Sequence, residues 1–110
     1  MASNRMTASE FIPTMVDRIV EQFQPTKILL FGSQARGDAK KSSDVDLLIV
    51  MKDAPDKRQT AIDMRCLLSD LPVSKDIVVT TPEEIARRKH IVGTIIRTAL
   101  REGKIVYEQI

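Results

Sequence analysis

Apolar residues recur at Ala8, Phe11, Ile12, Met15, Val16, Ile19, Val20 and Phe23. Steps of three and four put these positions on one face of an amphipathic helix. Thr7 and Glu10 match a capping box, but a helix started there would hold Pro13 in its interior without a backbone donor. A regular helix beginning near Pro13, after an irregular turn, is the alternative. Either one stops at Gln24, because the residue before Pro25 disfavours helix. Two short apolar runs follow, the continuous residues 28–31 and Val45–Val50 with Asp46 within it, both bounded by turn residues, as in strands buried on both faces.

Asp56 is placed to cap a helix over residues 57–70, with Ala61, Ile62, Cys66, Leu68 and Leu71 near one side and Pro72 beyond its end. Lys75–Thr80 alternates as a third strand, with Asp76, Val78 and Thr80 on one face and Ile77 and Val79 on the other. Thr81-Pro82-Glu83-Glu84 starts a last helix, with Thr81 as N-cap and acids in the first turn. Its expected buried face carries Ile85, Val92, Ile95, Ile96, Ala99 and Leu100, and Gly103 stops it. Lys104–Glu108 reads as an edge strand. The pattern therefore predicts an α+β fold, a mixed β-sheet with helices packed on it.

Composition changes this picture little. The 110 residues fit one small domain, residues 1–110, with 1–6 as a loose tail. Aromatics are scarce and Trp is absent, so the core must rest on Ile, Val, Leu and Met. A net charge of +2 is too small to argue for nucleic acid as the main partner, or for a membrane. Cys66 is the single cysteine, so it has no internal disulfide partner and fits a cytoplasmic setting. It and the methionines read as core packing. No apolar run approaches ~20 residues, and the N-terminus lacks the apolar core of a signal peptide.

The unusual chemistry lies in residues 27–51, KILLFGSQARGDAKKSSDVDLLIVM. Asp44 and Asp46 open an apolar strand at positions i and i+2, so both side chains leave one face, about 6–7 Å apart at Cα. Carboxylates this close repel unless a cation sits between them. Mg²⁺ takes one or two carboxylates with substrate phosphates and waters. If the strand bearing Asp76 lies alongside, three carboxylates converge and suit two metals about 3.5–4 Å apart. Gly32-Ser33 can cradle phosphate through a close backbone approach, amides and a hydroxyl. Arg36 suits a phosphate contact as well as it suits a salt bridge to Asp38, and Lys40 and Lys41 are further cations. The sequence has neither a P-loop nor an EF-hand. Arg87-Arg88-Lys89-His90 reads as a solvated helical face before it reads as a nucleic-acid patch.

Gly-Ser, ten intervening residues and then Asp-Val-Asp, with a strand-borne aspartate downstream, resembles the superfamily that includes DNA polymerase β. The longer stretches LFGSQARGDAKKSSDVDLLIV and KDIVVTTPEEIARRKHIVGTIIRTALREGKIVYE are similar to its minimal nucleotidyltransferases, the MNT group of the MntA-type antitoxins. The resemblance implies a polymerase β-like fold and a Mg²⁺-dependent transfer of NMP. Gly32, Ser33 and Arg36 would bind the nucleotide. Asp44, Asp46 and Asp76 would be both catalytic and metal-binding, with two Mg²⁺ ions. The substrate would be ATP or another NTP, and AMP would go to a tyrosine of a HEPN-type helical toxin. Two other readings stay open: a binding subunit that neutralises its partner by contact, and an enzyme that nucleotidylates a small molecule. Association of the chain with itself is also open, with the final helix and Lys104–Glu108 as candidate contact surfaces.

Overall fold

The computed structural model describes residues 8–37 and 44–109. Four strands, β1 (Lys27–Phe31), β2 (Val45–Val50), β3 (Lys75–Thr80) and β4 (Lys104–Glu108), form one sheet in the order β3-β2-β1-β4. β1 runs antiparallel to both β2 and β4, whereas β2 and β3 are parallel. A parallel neighbour needs a crossover, and α3 (Lys57–Leu67) supplies it. The mixed sheet and α+β class expected from the pattern are found.

Period-two alternation sorts the strand residues onto two faces, and both are covered. Ile28, Leu30, Val45, Leu47, Ile49, Ile77 and Val79 form one face, packed with Met15, Val16, Ile19, Met64 and Leu68. Those last five belong to α1 (Ile12–Phe23) and to α3 with its C-cap. Leu29, Phe31, Leu48 and Val50 form the other face with Ala99, flanked by Val78 and Ile85. Burial on both sides explains why residues 28–31 of β1 and 47–50 of β2 are apolar at every position.

The first helix follows the Pro13 alternative. A 3₁₀ turn, Ala8–Phe11, leads into α1, and Pro13 falls in its first turn, where no amide is missed. Thr7 of the expected capping box lies outside the described residues. α3 is capped as expected, the Asp56 side chain accepting from the Gln59 amide at 3.0 Å. It ends at Leu67, however, and its buried line is Met64 and Leu68 with Ala61 beside them. Cys66 and Ile62 are exposed, which corrects the core assignment of Cys66. Arg18 ties α1 to the end of α3 through Asp70, at 2.5 Å.

The expected single last helix is two. α4 (Pro82–Arg88) and α5 (Ile95–Glu102) are separated by a turn in which Gly93 takes φ +90°. Thr94 caps the second piece, its hydroxyl accepting from the Arg97 amide at 3.2 Å. The break changes the buried face. Ile96 and Ala99 are buried, whereas Val92 is 80% exposed, and Ile95 and Leu100 are exposed as well. Gly103 ends α5 for a reason of its own. A Cβ there would collide with the Ala99 carbonyl oxygen and lie 3.2 Å from that of Leu30.

Candidate active site

The expected site residues gather where β1 ends and β2 and β3 begin. β1 and β2 pair Phe31 with Asp46, so Gly32 leaves the sheet next to that aspartate. Gly32 has φ +76°, and a Cβ on it would collide with the Asp46 carboxylate oxygen. Glycine is needed here on two counts, the left-handed backbone and the close approach. The chain then turns into α2 (Ser33–Arg36), a single helical turn closed by Gly37 at φ +84°. Helices leave their first amides without internal acceptors, and Ser33 opens this turn directly after Gly32. The segment between Gly32 and Gly37 is therefore a helical turn. Lys40, Lys41 and Asp38 lie outside the described residues.

Parallel pairing of β2 with β3 sets Asp46 opposite Asp76, in register and on one face. Adjacent strands lie about 4.8 Å apart, so the two carboxylates emerge as neighbours. Asp44 stands immediately before β2, two residues from Asp46, and is exposed. Burial pushes the Asp46 carboxyl above its ordinary range. The charges of Asp76 and Asp44 push the same way, and Arg36 pulls against them. The acidic side chains gathered here offer oxygen donors only, the donor set that a hard divalent cation takes. Asp46 with Asp76, and Asp44 beside them, fit such an ion. Among the described residues, however, no three His, Cys, Asp or Glu side chains form a ready-made metal cage.

A residue that the pattern did not single out also reaches these carboxylates. Arg65, in the last turn of α3, donates to Asp76 Oδ1 at 3.1 Å. Helical periodicity could have shown only that Arg65 is on the solvent side of α3; its reach to Asp76 depends on how α3 packs on β3. Arg36 is held by Glu102 of α5, at 3.1 Å. It is near enough to Asp46 to act on its charge. Arg87, Arg88, Lys89 and His90 are exposed, and Arg88 pairs with Glu84 at 3.7 Å.

A groove of about 460 Å³ lies toward the other end of the strands. Leu29, Val50, Ile85, Ala86 and Leu100 line it, with Lys27 and Lys89 among its charged residues. None of the expected site residues lines this groove.

Similarity to known proteins falls on the same elements. The family described as nucleotidyltransferase domain matches residues 12–106. A Methanocaldococcus jannaschii protein named, by inference, protein adenylyltransferase MJ1305 is 31% identical over 90 residues, covering 74% of this chain. A second from that organism, MJ0604, named in the same way, is 38% identical over 81 residues and also covers 74% of this chain. The match spans 58% of the length of the first and 77% of the second. Among solved structures, a toxin-antitoxin crystallised with AMP-PNP superposes with a TM-score of 0.61 at 19% identity. That superposition covers 87% of this chain and 73% of the other, and it bears on the fold alone.

Proposed function

The chain belongs to the nucleotidyltransferase family, and from that premise we propose that it moves a nucleoside monophosphate, AMP from ATP by preference, to a hydroxyl acceptor. The observation that carries the reading is the register of Asp46 with Asp76, with Gly32 folded against Asp46. In this reading Gly32-Ser33 is the phosphate cradle and lies beside the paired carboxylates at the end of the sheet.

In this reading Gly32 and Ser33 hold the triphosphate through the backbone and the Ser33 hydroxyl, and Arg36 offsets its charge from the side. Asp44, Asp46 and Asp76 would hold Mg²⁺, which supplies charge neutralisation at the phosphates and lowers the pKa of a coordinated oxygen. Asp76, on the edge strand β3, would help activate the acceptor hydroxyl by taking its proton. The acceptor oxygen forms a bond to the α-phosphorus, the bond from that phosphorus to the bridging oxygen breaks, and pyrophosphate leaves. Most of the acceleration then comes from holding the reactants in line and from fixed charge.

The relatives named as protein adenylyltransferases support ATP as the donor and a protein as the acceptor. A tyrosine of a HEPN-type helical toxin is the proposed acceptor. The resemblance of the LFGSQARGDAKKSSDVDLLIV stretch to the MntA-type antitoxins supports such a partner. No helix among the described residues is long and apolar enough to cross a membrane. The test is incubation with Mg²⁺ and each labelled NTP in a lysate of the source cells, followed by mass spectrometry of the labelled products. AMP on a protein hydroxyl, lost in Asp46→Asn, is the expected result. Label that persists in Asp46→Asn, or reaches no acceptor, would overturn the proposal.

The contact reading keeps one observation of its own. Ile91, Val92 and Ile95 stand 49–80% exposed around the α4–α5 turn, an apolar surface suited to a partner. An Asp46→Asn chain that neutralised its partner as well as the wild type would favour that reading.

A further inference from the structure

Arg65 is the unassigned residue closest to the chemistry, and its pair with Asp76 contributes little to the fold. Both side chains are about half exposed, 54% and 48%, and exposed ion pairs are weak. α3 is already docked by Met64 and Leu68, both fully buried, and tied to α1 through Asp70 and Arg18. The consequence of the Arg65 contact is local. It occupies Oδ1 of Asp76, an oxygen of the carboxylate that stands in register with Asp46.

We propose that Arg65 is a positioning residue, a tethered counter-cation that holds Asp76 until a divalent cation displaces it. The inference rests on the metal-binding reading of Asp46 and Asp76 given above. A guanidinium bonded to Asp76 Oδ1 takes one of that oxygen's lone pairs and repels a second cation there, so the two compete for the carboxylate. Loading the site therefore favours release of the Arg65 side chain from Asp76. Its half-exposed position at the end of α3 lets it swing into solvent without disturbing the core. The pair thus sets the cation concentration at which the site fills. It also keeps Asp76 aimed along the sheet face before filling.

Mn²⁺ binding to the full chain, followed by the loss of the free-ion EPR signal at fixed ionic strength and without nucleotide, tests this. Arg65→Gln is expected to bind Mn²⁺ roughly two- to fivefold more tightly than the wild type, the range an exposed pair can supply. Arg65→Lys keeps a cation on the tether and is expected to stay near the wild type. In an Asp76→Asn background, Arg65→Gln is expected to change nothing, because the competition has lost its object. Binding by Arg65→Gln that is no tighter than wild type would overturn the inference. So would equal tightening in the Asp76→Asn background, which would mark a general effect of removing a positive charge. Asp46→Asn serves a different purpose. Unchanged Mn²⁺ binding in that variant would remove the metal reading itself, whatever the Arg65 variants do.

Discussion

At the scale of the residue, Gly32 and Asp46 constrain each other. Gly32→Ala places a methyl group against the Asp46 carboxylate at φ +76°. Displacing that carboxylate by about 1 Å is enough to lower turnover roughly a hundredfold. A steady-state assay with labelled ATP, beside a thermal melt, separates this loss from unfolding. Asp46 also carries a stability cost, because burial, Asp76 and Asp44 raise its pKa in the folded chain above the ordinary 3.8. An acid with a raised folded pKa binds more protons folded than unfolded, so stability falls as pH rises through that interval. The cost is complete above the raised value and absent below 3.8. Asp46→Asn should therefore melt higher than wild type near neutral pH while losing activity. The gain should vanish in acid; a variant that melts lower near neutral pH contradicts this account. Glu84 is the contrast. Burial raises its pKa, but the Thr80 hydroxyl at 2.7 Å, with Lys57 and Arg88, outweighs that and leaves it lowered.

At the scale of the element, the α4–α5 break and the α5–β4 corner are held by different means. Thr94 caps α5 with its side chain, so Thr94→Ala should cost about 1 kcal/mol and lower the melting midpoint by roughly 4 °C. Gly93 has φ +90° with open space around a Cβ, so alanine there meets backbone strain alone, about 1–2 kcal/mol. Gly103 is the reverse case. Its φ of −73° suits any residue, but a Cβ would meet the Ala99 carbonyl, which cannot move without unwinding the helix end. Gly103→Ala should therefore be the most destabilising of the three in urea unfolding. An order with Gly93→Ala as the worst would show that the corner relaxes. The capping signals at Asp56, Thr81 and Thr94 are local to the sequence, and the first two were legible there. The third was hidden because apolar residues continue through the turn at helical spacing.

At the scale of the whole molecule, β1 and β2 serve both cores at once, so neither face should unfold alone. Tyr107, the one tyrosine, sits on the edge strand β4 and packs against the α1/α3 side of the sheet. Its fluorescence and the far-ultraviolet circular dichroism should report one coincident urea transition. An earlier tyrosine transition would mean that β4 leaves the sheet first. Leu47→Ala, at a fully buried position of the central β2, should cost about 2–5 kcal/mol and shift both probes together.

The sequence by itself determined the strands, most of the helix starts and the stretch that holds most of the candidate site residues. Those features depend on periodicity, capping and glycine placement over a few residues. It also placed Gly32, Ser33, Asp44 and Asp46 in one strand-turn-strand unit. Tertiary structure decided that β2 and β3 are parallel neighbours, which sets Asp76 against Asp46. It brought Arg65 to Asp76 and Glu102 to Arg36. It also turned Cys66 and Val92 out to solvent. These outcomes depend on which helix face meets which strand, a choice made by the packing of the whole sheet.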